Sequence, residues 1–270
     1  MVSPPPSFIN QDLRQRSFRQ QTLQNAHFAD CDLQGCDFSQ ADLRGATFVR
    51  CRTGYLAQRW AIAGLLLALL GALMFHAVSS LVFGTLGTLP GQAAWPYVVA
   101  LHIALAIAAV GTFLRRLSWR ITVLAQPLAG LAIAALMGFF YGGRLTDNNP
   151  TWALVGAISC GLLGGLIARL ILTPLVASIV GLLGAIAAYG LAFLLWVSGS
   201  NLFTTGTWVS GLVIAAVAVV FVGVTFGNLW DGGRSLKSHA ATSFRQADLR
   251  NCTFSATPVT DCDFTHAIRR

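Results

Sequence analysis

The sequence predicts a mixed fold: an α-helical membrane bundle of six transmembrane helices set between two short arrays of a five-residue repeat. Three observations carry this expectation. A bulky apolar residue recurs at every fifth position over residues 13–48 and again over 244–264. Between the arrays lie six apolar runs, each about twenty residues long and so long enough to cross a bilayer. Apolar residues make up 55% of the 270 residues and charged ones only 10%, whereas soluble domains carry about 25% charged residues.

The first array is centred on Leu13, Phe18, Leu23, Phe28, Leu33, Phe38, Leu43 and Phe48. Neither a 3.6-residue helix nor a 2-residue strand gives a strict period of five. Phe and Leu alternate along it, and the residues between are small, polar or charged. Residues 1–10 form a Pro-rich lead-in without the apolar core of a secretory signal, although Phe8 keeps the period. Cys31, Cys36, Cys51, Cys252 and Cys262 each stand two residues before a period-five slot, where Ala26, Ala41, Ala46 and Ala247 stand elsewhere. Cys is thus read as a small buried residue interchangeable with Ala. With no CxxC pair and no accompanying histidines, neither a disulfide framework nor a metal site is expected.

The units CDLQG, CDFSQ and ADLRG over residues 31–45 match the loose consensus A-(D/N)-L-x-x, so the array resembles the pentapeptide-repeat family. That resemblance covers about residues 8–52 and 240–268 and implies a short right-handed β-helix of square cross-section, four repeats to a coil. Each repeat would then form one side, with its central residue and the small residue two before it pointing at the axis. Phe would stack on Phe and Leu on Leu twenty residues apart, and Asp12, Asp32, Asp37 and Asp42 would lie outside.

The predicted spans are 60–83, 95–114, 121–141, 151–172, 175–197 and 208–228. The connections at 114–120 and 172–174 are tight hairpins, so a four-span reading is the alternative. All seven Trp residues (Trp60, Trp95, Trp119, Trp152, Trp196, Trp208 and Trp230) fall at or beside a span end, as an interfacial belt requires. The chain carries 17 Arg and 1 Lys against 10 Asp and no Glu, a net charge of +8. Placing the N-terminus inside puts Arg50, Arg52, Arg59, Arg115, Arg116, Arg120, Arg169, Arg234 and Lys237 on the inner side and only Arg144 outside. Both arrays are therefore expected in the cytoplasm.

Small residues recur at helical spacing in two spans: Ala157, Gly161 and Gly165 in the fourth, Ala177, Gly181 and Ala185 in the fifth. Close packing of these two helices on each other is the preferred reading. Among polar residues at membrane depth, His76 and His102 are expected to pair between helices one and two. Gln126 beside Pro127 marks a kink with its freed carbonyl re-satisfied locally, and Arg169 snorkels to the inner surface. No carboxylate occurs within a span, which removes the usual basis for proton- or sodium-coupled transport.

Residues 229–239 read as a polar linker. The second array follows, over 240–268, centred on Phe244, Leu249, Phe254, Val259 and Phe264. Neither array reaches the roughly three stacked units a repeat core needs. The two are therefore expected to stack as one β-helix, with the bundle inserted between consecutive coils. A domain-swapped dimer is the alternative.

No catalytic constellation, nucleotide-binding loop or cofactor motif is present in the sequence. Residues 1–52 hold six Arg against five Asp, unlike the long acidic rods with which some members of the resembled family mimic DNA, and the scattered Arg argue against nucleic-acid binding. The leading expectation is a non-enzymatic membrane scaffold that offers its repeat faces to a protein partner or membrane complex. The alternative is a small transporter or channel with the repeats as gate, its path lined by His76, His102, Gln126 or Tyr189. The expected location is a bacterial inner membrane, or a thylakoid membrane in a phototroph. Besides the bilayer and a protein partner, a homo-oligomer is the further assembly considered.

Overall fold

A computed structural model describes residues 5–55, 57–115, 119–171 and 173–269. Arg116, the first four residues of the lead-in, and the side chains of Arg59, Trp119, Arg120 and Lys237, all used in the sequence argument, lie outside what is described. The chain forms two compact units, Met1–Gly64 with Leu236–Arg270, and Leu65–Ser235.

The first unit is built from parallel pairings twenty residues apart. Strands β1 (Ser7–Ile9), β2 (His27–Ala29) and β3 (Thr47–Val49) pair in register, Phe8 to Phe28 to Phe48. Single bridges mark three further sides: Asp12 to Asp32 to Arg52, Ser17 to Asp37, and Thr22 to Asp42. The C-terminal array continues the same ladders. β5 (Thr253–Ser255) pairs with β3, setting Phe254 beside Phe48. β4 (Thr242–Ser243) bridges Asp37 on one side and pairs with β6 (Cys262–Asp263) on the other.

This register corrects one expectation. The bundle is inserted within a coil, not between two. Thr47–Arg52 supplies the first two sides of the third coil, and Ser243 and Asp248 bridge to Asp37 and Asp42 as its last two. Tyr55 and Thr242 therefore occupy successive slots. Thr242 fills the small inward position held by Cys36 one coil earlier, fully buried, its Oγ1 donating to the Leu33 carbonyl at 2.8 Å.

The core is two Phe columns and two mainly Leu columns. Phe28, Phe38, Phe48 and Phe244 are 0% exposed, and Leu13, Phe18, Leu23, Leu33, Leu43 and Leu249 are also buried. Both ends open, leaving Phe8 at the first coil and Phe254, Val259 and Phe264 at the last half-buried. Within a column the rings stack at 4.8–5.1 Å between centroids, as for Phe28 on Phe48 and Phe38 on Phe244. Between columns they meet edge to face, as for Phe28 and Phe38 at 5.7 Å, the geometry ring quadrupoles favour. Cys31, Cys36 and Cys51 are buried in the small slots, each thiol donating to a main-chain carbonyl of the preceding coil.

The second unit contains the helices. α1 spans Ala57–Thr85, α2 Trp95–Leu114, α3 Trp119–Arg144, α4 Pro150–Leu170, α5 Pro174–Thr204 and α6 Trp208–Ala240. All six are long and apolar enough to cross a bilayer. α5 is the most enclosed, with 67% of its most apolar window buried, and α6 the least at 11%. The polar linker expected at 229–239 is helical instead, because α6 runs unbroken through it to Ala240. Continuing the helix keeps its backbone groups bonded, and Gly232 there lets α6 approach α5: its Cα lies 3.1 Å from where a Cβ on Gly181 would stand.

The small-residue faces also pair differently from expectation. Gly161, Gly164 and Gly165 of α4 face Leu131, Ala134, Ala135 and Gly130 of α3. Gly181 and Gly184 of α5 face α6 and Thr112 of α2. Sequence shows that a helix has a face for close approach. Which helix fills it depends on how the bundle closes.

Candidate interaction surfaces

The repeat core has no room for chemistry, so any site on the first unit lies on its outer sides, and these are not alike. Three sides carry charge. At the centre-minus-one position Asp12, Asp32, Asp37, Asp42, Asp248 and Asp263 each accept a hydrogen bond from the backbone N–H two residues on. These aspartates fold back on the chain as Asx turns, their side chains ranging from 57% exposed at Asp12 to 9% at Asp263. Where Arg follows, it closes an ion pair within its own repeat, Arg14 with Asp12, Arg44 with Asp42 and Arg250 with Asp248. These Arg donors hold the Asp12 carboxyl down at about 2 and lower Asp42 and Asp248 as well.

The fourth side is β1, β2, β3 and β5, a flat parallel sheet. Its outward residues are Ser7 and Ile9, His27 and Ala29, Thr47 and Val49, Thr253 and Ser255, with no Asp, Arg or Lys. Ile9 is 59% exposed, and His27 Nδ1 meets Thr47 Oγ1 at 2.6 Å.

The corners show a regularity that sequence reading missed. Asn10, Gln15, Gln20, Asn25, Asp30, Gly35, Gln40, Gly45 and Arg50 all adopt positive φ, a conformation costing most residues about 1–2 kcal/mol. Interactions between coils offset it. Gln20 Nε2 donates to Gln40 Oε1, and Gln40 Nε2 to Gln246 Oε1, both at 2.8 Å, while Arg50 pairs bidentately with Asp30 one coil back. Asn, Asp and Gly at three or more of these positions were a readable signal.

In the membrane unit the expected polar residues do not converge. His102 Nδ1 meets the Val98 carbonyl one turn back at 2.8 Å, and His76 lies edge-on to Phe140 at 5.3 Å, so the expected His76–His102 pair is absent. Each imidazole is served by its nearer neighbour. Gln126 is 3% exposed and donates to the Ala168 carbonyl of α4 at 3.2 Å. The Val123 carbonyl, four residues before Pro127 and expected to be satisfied locally, accepts instead from Arg169 Nη1 of α4. Tyr189 is 55% exposed on α5.

A polar cluster that was not foreseen joins α2, α5 and α6. Asn228 is fully buried, and its Nδ2 donates to Thr112 Oγ1 at 2.6 Å. Thr112 Oγ1 in turn donates to the Ala108 carbonyl, and Arg115 Nη1 donates to Ala177 of α5. Among the described residues Asn228 Oδ1 has no hydrogen-bond partner. An Asn at the end of an apolar run was the available signal. Among the described residues no three His, Cys, Asp or Glu side chains gather as a metal site would need.

No curated protein and no solved structure matches the chain. A family model for pentapeptide repeats does match, with 8 copies over residues 17–52. This protein thus carries a pentapeptide-repeat array joined to six membrane-spanning helices.

Proposed function

We propose that the protein is a non-enzymatic integral membrane scaffold. Its repeats close into a right-handed quadrilateral β-helix in the cytoplasm that docks a protein partner or membrane complex. Pentapeptide repeats commonly serve as protein-interaction modules, and the excess of Arg at alternate span ends favours the cytoplasmic side. The home membrane is a bacterial inner membrane or, in a phototroph, the thylakoid. The observation that carries the reading is the uneven exterior. On the charged sides Arg14, Arg44 and Arg250 pair with aspartates of their own repeats, while the β1–β2–β3–β5 side is flat, uncharged and partly apolar. Such a surface loses little on desolvation when a partner covers it.

Affinity purification of the full chain in mild detergent tests this. A defined complex should co-purify and be lost on Ile9→Arg, an exposed substitution that leaves the fold intact. A clean monomer or homo-oligomer would count against the scaffold. The transporter reading draws its support from the buried Thr112–Asn228 pair and the unpartnered Oδ1 beside it. Solute flux into proteoliposomes that Asn228→Leu abolishes would favour that reading.

A further inference from the structure

An apolar slot of about 210 Å³ lies among α1, α2, α3 and α4. Ala104, Ala135 and Ala157 line it where larger side chains would fill the space, and Leu81, Tyr97 and Phe139 form its rim. Among the described residues the hydroxyls lining it are those of Tyr97 and Thr85, and Thr85 already donates to the Val82 carbonyl at 2.8 Å. The slot therefore makes no polar demand on its occupant. From Tyr97 to Ala104 it follows α2 for seven residues, about 10 Å at the helical rise.

The same rim residues, Leu81, Tyr97 and Phe139, also line a second space of about 300 Å³ that holds Arg144 and Asn148. The two spaces thus share one rim, apolar within and cationic at the mouth. Arg144 ends α3 and is exposed, and among the described residues its guanidinium has no hydrogen bond or ion pair. Asp147, in the same connection, is exposed and does not pair with it.

We propose that the slot and its mouth bind an anionic phospholipid, one acyl chain lying against Ala104, Ala135 and Ala157 and the phosphate on Arg144 and Asn148. The apolar lining gains dispersion contacts from any apolar chain that fills the slot, and within a bilayer the apolar molecules at hand are acyl chains. Guanidinium matches phosphate oxygens with paired donors, and the Asn148 amide adds another. The chemistry is that of an amphiphile, since neither a free anion nor a hydrocarbon satisfies both halves.

The test uses the full-length protein, delipidated in detergent and titrated with phosphatidylglycerol or phosphatidylcholine, with bound lipid read by native mass spectrometry. The wild-type protein should retain phosphatidylglycerol about tenfold more strongly, the gain of one charge-assisted contact pair. Arg144→Gln should reduce phosphatidylglycerol retention to that of phosphatidylcholine and leave phosphatidylcholine unchanged. Ala157→Leu, which fills the slot, should weaken both. Equal retention of the two lipids by the wild type, or a phosphatidylglycerol preference surviving Arg144→Gln, overturns the proposal. So does undiminished retention in Ala157→Leu.

Discussion

Phe48 shows what one residue does here. It is 0% exposed, stacks on Phe28 in its own array and on Phe254 in the other, and so joins the two halves of the repeat module. Phe48→Ala should cost about 3–5 kcal/mol, as for other buried aromatic truncations, read by chemical denaturation of the first unit's β signal. Thr242 has a polar version of that role, accepting from the Gly54 N–H at 3.0 Å while donating to Leu33. Thr242→Val keeps the shape but leaves a buried donor unpaired, a loss of about 1–3 kcal/mol. The aspartates add a pH dependence. The Arg-paired carboxyls of Asp12, Asp30, Asp42 and Asp248 titrate lower in the folded chain than the unfolded value near 3.9, Asp12 at about 2. Their contribution is then complete above about pH 4 and lost as pH falls toward 2. The melting temperature should drop over that window, less steeply in Asp42→Asn and, because these pairs are exposed, less steeply in high salt. The positions of Phe48 and Asp42 were legible as period and consensus. The Asx role of Asp42 was not, because it depends on a corner conformation that no side-chain pattern states.

Among the elements, α3 and α4 form a pair whose approach depends on glycine. A Cβ on Gly164 would stand 2.8 Å from the Gly130 carbonyl oxygen and overlap Ala134, while a Cβ on Gly223 of α6 would meet nothing within 4 Å. Gly164→Ala should therefore destabilise the detergent-solubilised bundle by about 1–3 kcal/mol. Gly223→Ala should be neutral or stabilising by up to about 1 kcal/mol through helix propensity. Equal effects of the two in a thermal melt would refute glycine-mediated approach. Small-residue spacing in the sequence pointed to a close face on α4, but α3 rather than α5 lies against it. α6 teaches the converse. Its Asp-Gly-Gly stretch reads as a break, yet Gly232 is where α5 comes near, and a contact across helices leaves no local trace.

At the scale of the whole molecule, the register of the repeats passes across an insertion. Thr53 and Phe244 are successive repeat centres, with Gly54, Tyr55, Thr242 and Ser243 between them in the coil. Joining Tyr55 directly to Thr242, with residues 56–241 removed, therefore restores the period of five. That shortened chain should fold as a soluble, monomeric β protein with a cooperative melt. Aggregated or unstructured material would show that the repeats need the membrane helices to fold. Joining Tyr55 instead to Ser243 puts the last repeats one residue out of phase, turning Phe244 and Leu249 outward, and should fail to fold.

The sequence by itself determined the modules: a strict period of five and six apolar runs are one-dimensional signals, set by which residues can face an axis or a bilayer. It also pointed to the two arrays stacking together, since neither alone has enough repeats to cover a core, and β5 pairs with β3. Tertiary structure decided everything that depends on which surface meets which. It set the bundle's point of entry inside the third coil, paired α3 with α4 and α5 with α6, and bonded His102 and Gln126 to carbonyls instead of to a shared path. The physical reason is one of range: periodicity records the direction a residue faces, while the partner it meets is fixed only when distant segments close on each other.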